Sequence, residues 1–136
     1  MANSPEWNDA TIIAGVAAMG ALCNNGTLRI YTGSQPALNG ALSGTLLATL
    51  TFGATAFGTP TASGGTVTAA ANSITSGTAA ASNTAGYFAL VKSDTTTVVA
   101  TGSVGTSGAD LNLNSLAISS GATVSCSAFS LTQSQS

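Results

Sequence analysis

From Gly26 onward the chain alternates apolar and polar residues in short runs, and glycine, serine, asparagine or proline breaks each run. Leu28 and Ile30 alternate with Thr27, Arg29 and Tyr31 before Gly33-Ser34-Gln35-Pro36 turns the chain. Leu46, Ala48, Leu50 and Phe52 share one face of a second run, and Val67, Ala69 and Ala71, with Ile74 nearby, form a third. Residues 87–92 are apolar at successive positions, the pattern of a central strand covered on both faces. Runs at 97–104, 110–114, 116–118 and 123–131 complete the series, with a phase shift near position 128 that suits a bulge. Side chains of a strand point alternately to opposite faces, so each run reads as a half-buried strand. The pattern predicts a mainly β chain: a single antiparallel β-sandwich or jelly roll of about eight strands with an N-terminal α-helix.

The helix comes from the first 26 residues. Ser4 is a good cap, Pro5 suits the first helical position and Glu6 complements the helix dipole. Trp7, Ala10, Ile13, Ala14, Ala17 and Ala21 recur at helical spacing, and Ile12, Val16, Met19 and Cys23 form a second stripe. The spacing predicts a helix over 5–23, ended by Asn24-Asn25-Gly26 with Gly26 in the left-handed conformation. A helix apolar all round is buried by its own domain or by a neighbour. Residues 1–26 therefore read as a helical arm on a sandwich formed by 27–136, one domain overall, and Trp7, Ile12, Ile13, Val16 and Met19 are the candidate partner interface. Trp7 either packs on the sandwich or anchors in a partner's pocket. Residues 133–136 read as a frayed tail.

Charge decides what this fold can do. The chain of 136 residues has two basic and four acidic side chains and no histidine, whereas about a quarter of a typical globular domain is charged. Nucleic-acid binding neutralises many phosphates with Lys and Arg, and anionic membranes need the same charges. Arg29 and Lys92 cannot supply either surface. A mean hydropathy of +0.40 with clear alternation argues against disorder. The apolar stretch 11–23 is too short to span a bilayer, for which about 20 residues are needed. Glu6 and Asp9 precede it where a secretory signal would be basic. Without such a signal, Cys23 and Cys126 are expected as two buried free thiols. A surface of Ser, Thr, Asn and small residues has little electrostatic protection against association, which points to a chain that works against a partner.

No arrangement of reactive residues stands out. Without histidine there is no Ser-His-Asp or Cys-His set and no histidine metal site, and Ala89 occupies the position a Ser-x-x-Lys ending at Lys92 would need. Asp94 and Asp110 are conceivable as paired carboxylates for glycoside hydrolysis or as calcium ligands, but both stand among turn residues, where Asp bonds nearby backbone N–H groups. Gly102, Gly105 and Gly108 lack the dinucleotide-binding spacing. We therefore expect a protein that is not an enzyme, with no catalytic residues, no cofactor and no metal.

Residues 25–57 and 85–132 resemble a family of small structural proteins of tailed phages and prophages. Thr-Leu-Arg-Ile-Tyr-Thr-Gly at 27–33, Gly-Thr-Leu-Leu-Ala-Thr-Leu at 44–50 and Asp-Leu-Asn-Leu-Asn at 110–114 carry the resemblance. It implies a capsid decoration, or cement, protein: a β-sandwich made in the bacterial host cytoplasm that oligomerises, as a homotrimer or homodimer, on the outer capsid surface of the virion. There it clamps neighbouring copies of the major capsid protein, with no nucleic acid or membrane as partner. In this reading the arm 1–26 reaches a neighbouring subunit or packs under the sandwich, and it is separable from the sandwich. A tail or fibre adhesion module is the alternative, and a small β-sandwich hydrolase is a third reading.

Overall fold

The computed structural model describes residues 6–113, 115–126 and 128–135. A single helix, α1 (Asp9–Ala21), leads into β1 (Thr27–Tyr31), β2 (Leu46–Phe52), β3 (Thr61–Ser63), β4 (Thr66–Ala70), β5 (Ile74–Thr75), β6 (Gly77–Thr78) and β7 (Asn83–Thr84). Then follow β8 (Tyr87–Val91), β9 (Val98–Gly105), β10 (Leu111–Asn112), β11 (Ala117–Ile118), β12 (Thr123–Val124) and β13 (Ser130–Ser134). The protein is mainly β, with its largest sheet in the order β10-β9-β8-β1-β2-β5. A second sheet has the order β13-β4-β3, and β11–β7 and β12–β6 form two small pairs.

Strand β8 shows why the large sheet forms. All five of its residues are buried, because neighbours flank both edges and a core lies on each face. On one face Leu28 stands between Leu50 and Leu90, and Ile30 between Ala48 and Phe88. These rows join Val67 and Ala69 of β4, Val16 of α1, Phe57 and Phe129 in the main core. Within it, Phe129 stands edge-on to Phe88 at 5.3 Å between ring centres and lies 6.0 Å from Phe57. Each fully buried side chain of this size contributes about 1.5–3 kcal/mol. On the other face Tyr31 stacks on Tyr87 at 5.2 Å, beside Ala89 and Val91, and Leu42 and Leu46 pack over them. The Tyr87 hydroxyl accepts from the Ser43 N–H at 2.9 Å and donates to its C=O, pinning the connection between β1 and β2 across this face.

Several expectations need correction. The helix starts at Asp9, not at residue 5, because Asn8 is extended (φ −65°, ψ 152°) while its C=O already accepts from Thr11 and Ile12. The expected cap at Ser4 and Pro5 lies outside the described residues. Asn25, not Gly26, takes the left-handed conformation (φ 59°). Gly26 is required for space instead, since a Cβ there would sit 2.3 Å from the Val91 carbonyl oxygen.

In place of about eight strands there are thirteen shorter ones among the described residues. The run 123–131 divides into β12, which pairs with β6, and β13, which pairs with β4, so the change of phase marks a change of sheet. The expected pairing is not wholly antiparallel, because β10 runs parallel to β9. The tail is not frayed through residue 135. Residues 130–134 form a strand, Gln135 N–H donates to the Gly65 C=O, and Gln135 Nε2 donates to Trp7 O at 2.9 Å and Asp9 Oδ1 at 2.6 Å.

Candidate interaction surface

Helix α1 lies against β4 and β13 and touches β3. A narrow seam makes the contact: Ile12 and Ile13 are half-buried, and Val16, Gly20 and Cys23 are buried. Gly20 lets the helix come close, because a Cβ there would lie 3.2 Å from the Phe57 Cβ. Helical spacing then turns Thr11, Ala14, Ala18 and Leu22 away from the sheet, and all four are exposed. Met19 flanks that ridge, 38% exposed beside Leu22 at 45%, and Trp7, 50% exposed, stands before the helix. Asp9 is the only charged residue of the helix.

The five residues expected at a partner interface therefore divide. Val16, 0% exposed, belongs to the protein's own core and is not available to a partner. Ile12 and Ile13 are largely used by the same seam, packed against that core. Trp7 and Met19 remain on the surface. Leu22 completes the apolar face. It was missed because its position at the helix end gave no sign of which way it would turn, although its spacing of four from Ala18 is visible in the sequence. Because the seam contributes Val16 and Cys23 to the core, residues 1–26 do not form an arm that can be removed while sparing the sheets.

The carboxylates weighed for chemistry sit in backbone hydrogen bonds. Asp94 closes the β8–β9 turn: its carboxylate accepts from the N–H groups of Thr96 and Thr97 and from the Thr97 hydroxyl. Those donors hold it well below the usual carboxylate range. Asp110 Oδ2 accepts from Ser103 N–H at 3.0 Å and from the Ser103 hydroxyl at 3.2 Å. Ser103 lies five residues along β9 from Val98, where the Asp94 turn closes, a separation of about 16 Å at the usual rise of a strand. A glycosidase pair stands about 5–10 Å apart, so these two acids are not brought together.

Cys23 and Cys126 are both free and buried. Loss of solvation pushes the Cys23 thiol up to about 11 and raises Cys126 as well. Among the described residues, no group of His, Cys, Asp or Glu is arranged to hold a metal ion, and no helix is long and apolar enough to cross a membrane. Comparison of the chain with family models, curated proteins and solved structures finds no match.

Proposed function

We propose that this chain is a structural protein of a virus particle, a decoration protein of the sandwich or jelly-roll type. It binds the outer surface of a phage head as a homotrimer or homodimer and holds neighbouring shell subunits together. The observation that supports the reading is the outer face of α1, an uncharged ridge that the chain's own sheets leave uncovered. Full burial of a large apolar side chain contributes about 1.5–3 kcal/mol, so covering the exposed halves of Trp7, Met19 and Leu22 stabilises an assembly by about 1 kcal/mol each. Closed symmetry repeats that contribution in every protomer. Binding that favours the assembled shell stabilises it by mass action and requires no reactive residues.

Two measurements test the proposal. Leu22→Glu places a charge on the ridge without touching the core, and light scattering should show the oligomer falling to folded monomers. Quantitative mass spectrometry of purified particles should find hundreds of copies in a fixed simple ratio to the shell protein. A few copies per particle would move the protein to the tail or fibre, and a wild-type chain monomeric at high concentration would remove the role given to α1.

A further inference from the structure

Two unpaired strand edges face one cleft. On its outer side β9 is covered by β10 only at Val104 and Gly105, so residues 98–103 have no neighbouring strand there. Strand β13 lies at the edge of its sheet and pairs only with β4. Ala100 and Thr101 on one side, and Ser130 and Thr132 on the other, line the same cleft of about 610 Å³, with Phe88 and Phe129 among its apolar lining.

Hydrogen-bond alternation shows which backbone groups are free. In an antiparallel pair, successive residues point their N–H and C=O alternately toward the partner strand and away from it. Phe129 C=O and Gln135 N–H bond toward the β4 hairpin, so Ser130 and Thr132, at the intervening positions, point theirs outward. On β9 the Ser103 N–H points away from β8, into the Asp110 carboxylate, and Thr101, two residues earlier, points the same way. Ser130, Thr132 and Thr101 therefore offer a row of main-chain donors and acceptors beside an apolar lining. A guest strand needs both.

The geometry points to a strand-acceptor site: we infer that the cleft between β9 and β13 takes an extended segment of another protein. That segment has alternating apolar side chains against Phe88 and Phe129 and a lysine or arginine at the Asp110 end. Charge complementarity selects the basic residue, because Asp110 is the only charged residue among the described residues lining the cleft. Its Oδ2 serves Ser103, while its Oδ1 accepts from no described residue. A second copy of this chain is a poor guest. Its two cations are Arg29, in the middle of β1 and donating to the Thr95 C=O, and Lys92, closed into the β8–β9 turn. The inference is independent of the particle reading, since it rests on the edges of β9 and β13 and not on α1.

The test uses the full chain, isotopically labelled, with two capped octapeptides that alternate valine and serine. One carries a central arginine and the other has glutamine in its place. The arginine peptide should shift the amide resonances of Thr101, Ser130 and Thr132 and protect them from exchange. Asp110→Asn keeps an acceptor for Ser103 and removes the charge, so it should weaken the arginine peptide about fivefold and leave the glutamine peptide unchanged. Ser130→Pro removes an outward N–H that β4 does not use, a place where an edge strand tolerates proline, and should weaken both peptides. An unchanged melting temperature shows that either variant remains folded. No shift at millimolar peptide, shifts centred on α1, or an Asp110→Asn chain that binds both peptides as before would overturn the inference. Concentration-dependent shifts of these amides without peptide would also overturn it, by making a second copy the occupant.

Discussion

Tyr87→Phe separates the two things Tyr87 does. Its ring, fully buried and stacked on Tyr31 at 5.2 Å, survives the change, whereas its hydroxyl loses both bonds to the Ser43 backbone. A typical hydrogen bond contributes about 0.5–1.5 kcal/mol net. Ser43 is exposed, so water can satisfy its freed N–H and C=O, and no penalty for a buried orphan is added. The expected cost is about 2 kcal/mol for the pair of bonds. With a urea slope of about 1.5 kcal/mol per molar, the unfolding midpoint should fall by about 1.3 M. Hydrogen exchange locates the loss: the Thr45 N–H, which donates to the Thr32 hydroxyl at 2.8 Å, should exchange faster along with Ser43. Tyr31→Phe, which keeps the same ring pair, is the control. A midpoint within about 0.2 M of wild type, with Ser43 protection unchanged, would refute the view that this hydroxyl pins the β1–β2 connection.

Four further outcomes are expected. Burial raises the Cys23 thiol from 9.0 to about 11, so the folded state holds its proton longer than the unfolded one. Stability is therefore fully present below pH 9 and is lost as pH rises toward 11; urea midpoints across that window that stay flat would contradict it. Asp94 is shifted the other way, so its contribution to the β8–β9 turn is present above 3.8 and lost as pH falls far below it. Amide resonances of Thr96 and Thr97 that titrate at an ordinary carboxylate pKa would contradict that bonding. Gly102→Ala places a Cβ 2.5 Å from Phe88 Cε1, where Phe129 closes the far side of the ring, and should cost about 1–3 kcal/mol by overpacking, read from urea midpoints. Gln135→Ala frees Trp7 and Asp9 from the β13 end and should accelerate amide exchange at Trp7; unchanged exchange would mean that Gln135 does not hold the N-terminal segment.

The sequence reveals strands best where large and small residues alternate. Leu28 and Ile30, the Leu46–Phe52 run, Val67 with Ala69, and the doubly apolar 87–92 all become strands of the expected kind. Between 110 and 131 the alternation is carried by Ser, Asn, Ala and Gly, whose side chains differ little in the free energy of burial. Pairing there is decided by distant partners instead, such as Thr84 for Ala117 and Thr78 for Thr123. The polar end 133–136 looks like a tail for the same reason: Gln133 and Ser134 carry no apolar signal, and their order comes from β4. In α1 the difficulty is reversed. With apolar residues all round, nothing local distinguishes Val16, which meets the sheet, from Ala18 and Leu22, which do not. The cleft is the least legible feature, because its walls are formed by strands about 30 residues apart and by backbone groups that every sequence possesses.

A chain with six charges must protect its sheet edges by other means than the lysines and acidic residues most β proteins place there. Strands β3, β5 and β10 are too short to offer much of an edge. Asp110 occupies the outward N–H of Ser103 on β9, and Asp94 and Arg29 both bond to the backbone of the β8–β9 turn. Gln135 ties the end of β13 to the start of α1. After these devices are placed, two regions stay uncovered: the ridge of α1, and the edges of β9 and β13 at Thr101, Ser130 and Thr132. Neither carries the proline or lysine that would discourage association, although a single substitution at Leu22 or Ser130 would suffice. The protections fall on every other long edge, so these two openings are the places where the surface is built to be covered, one through side chains and the other through the backbone.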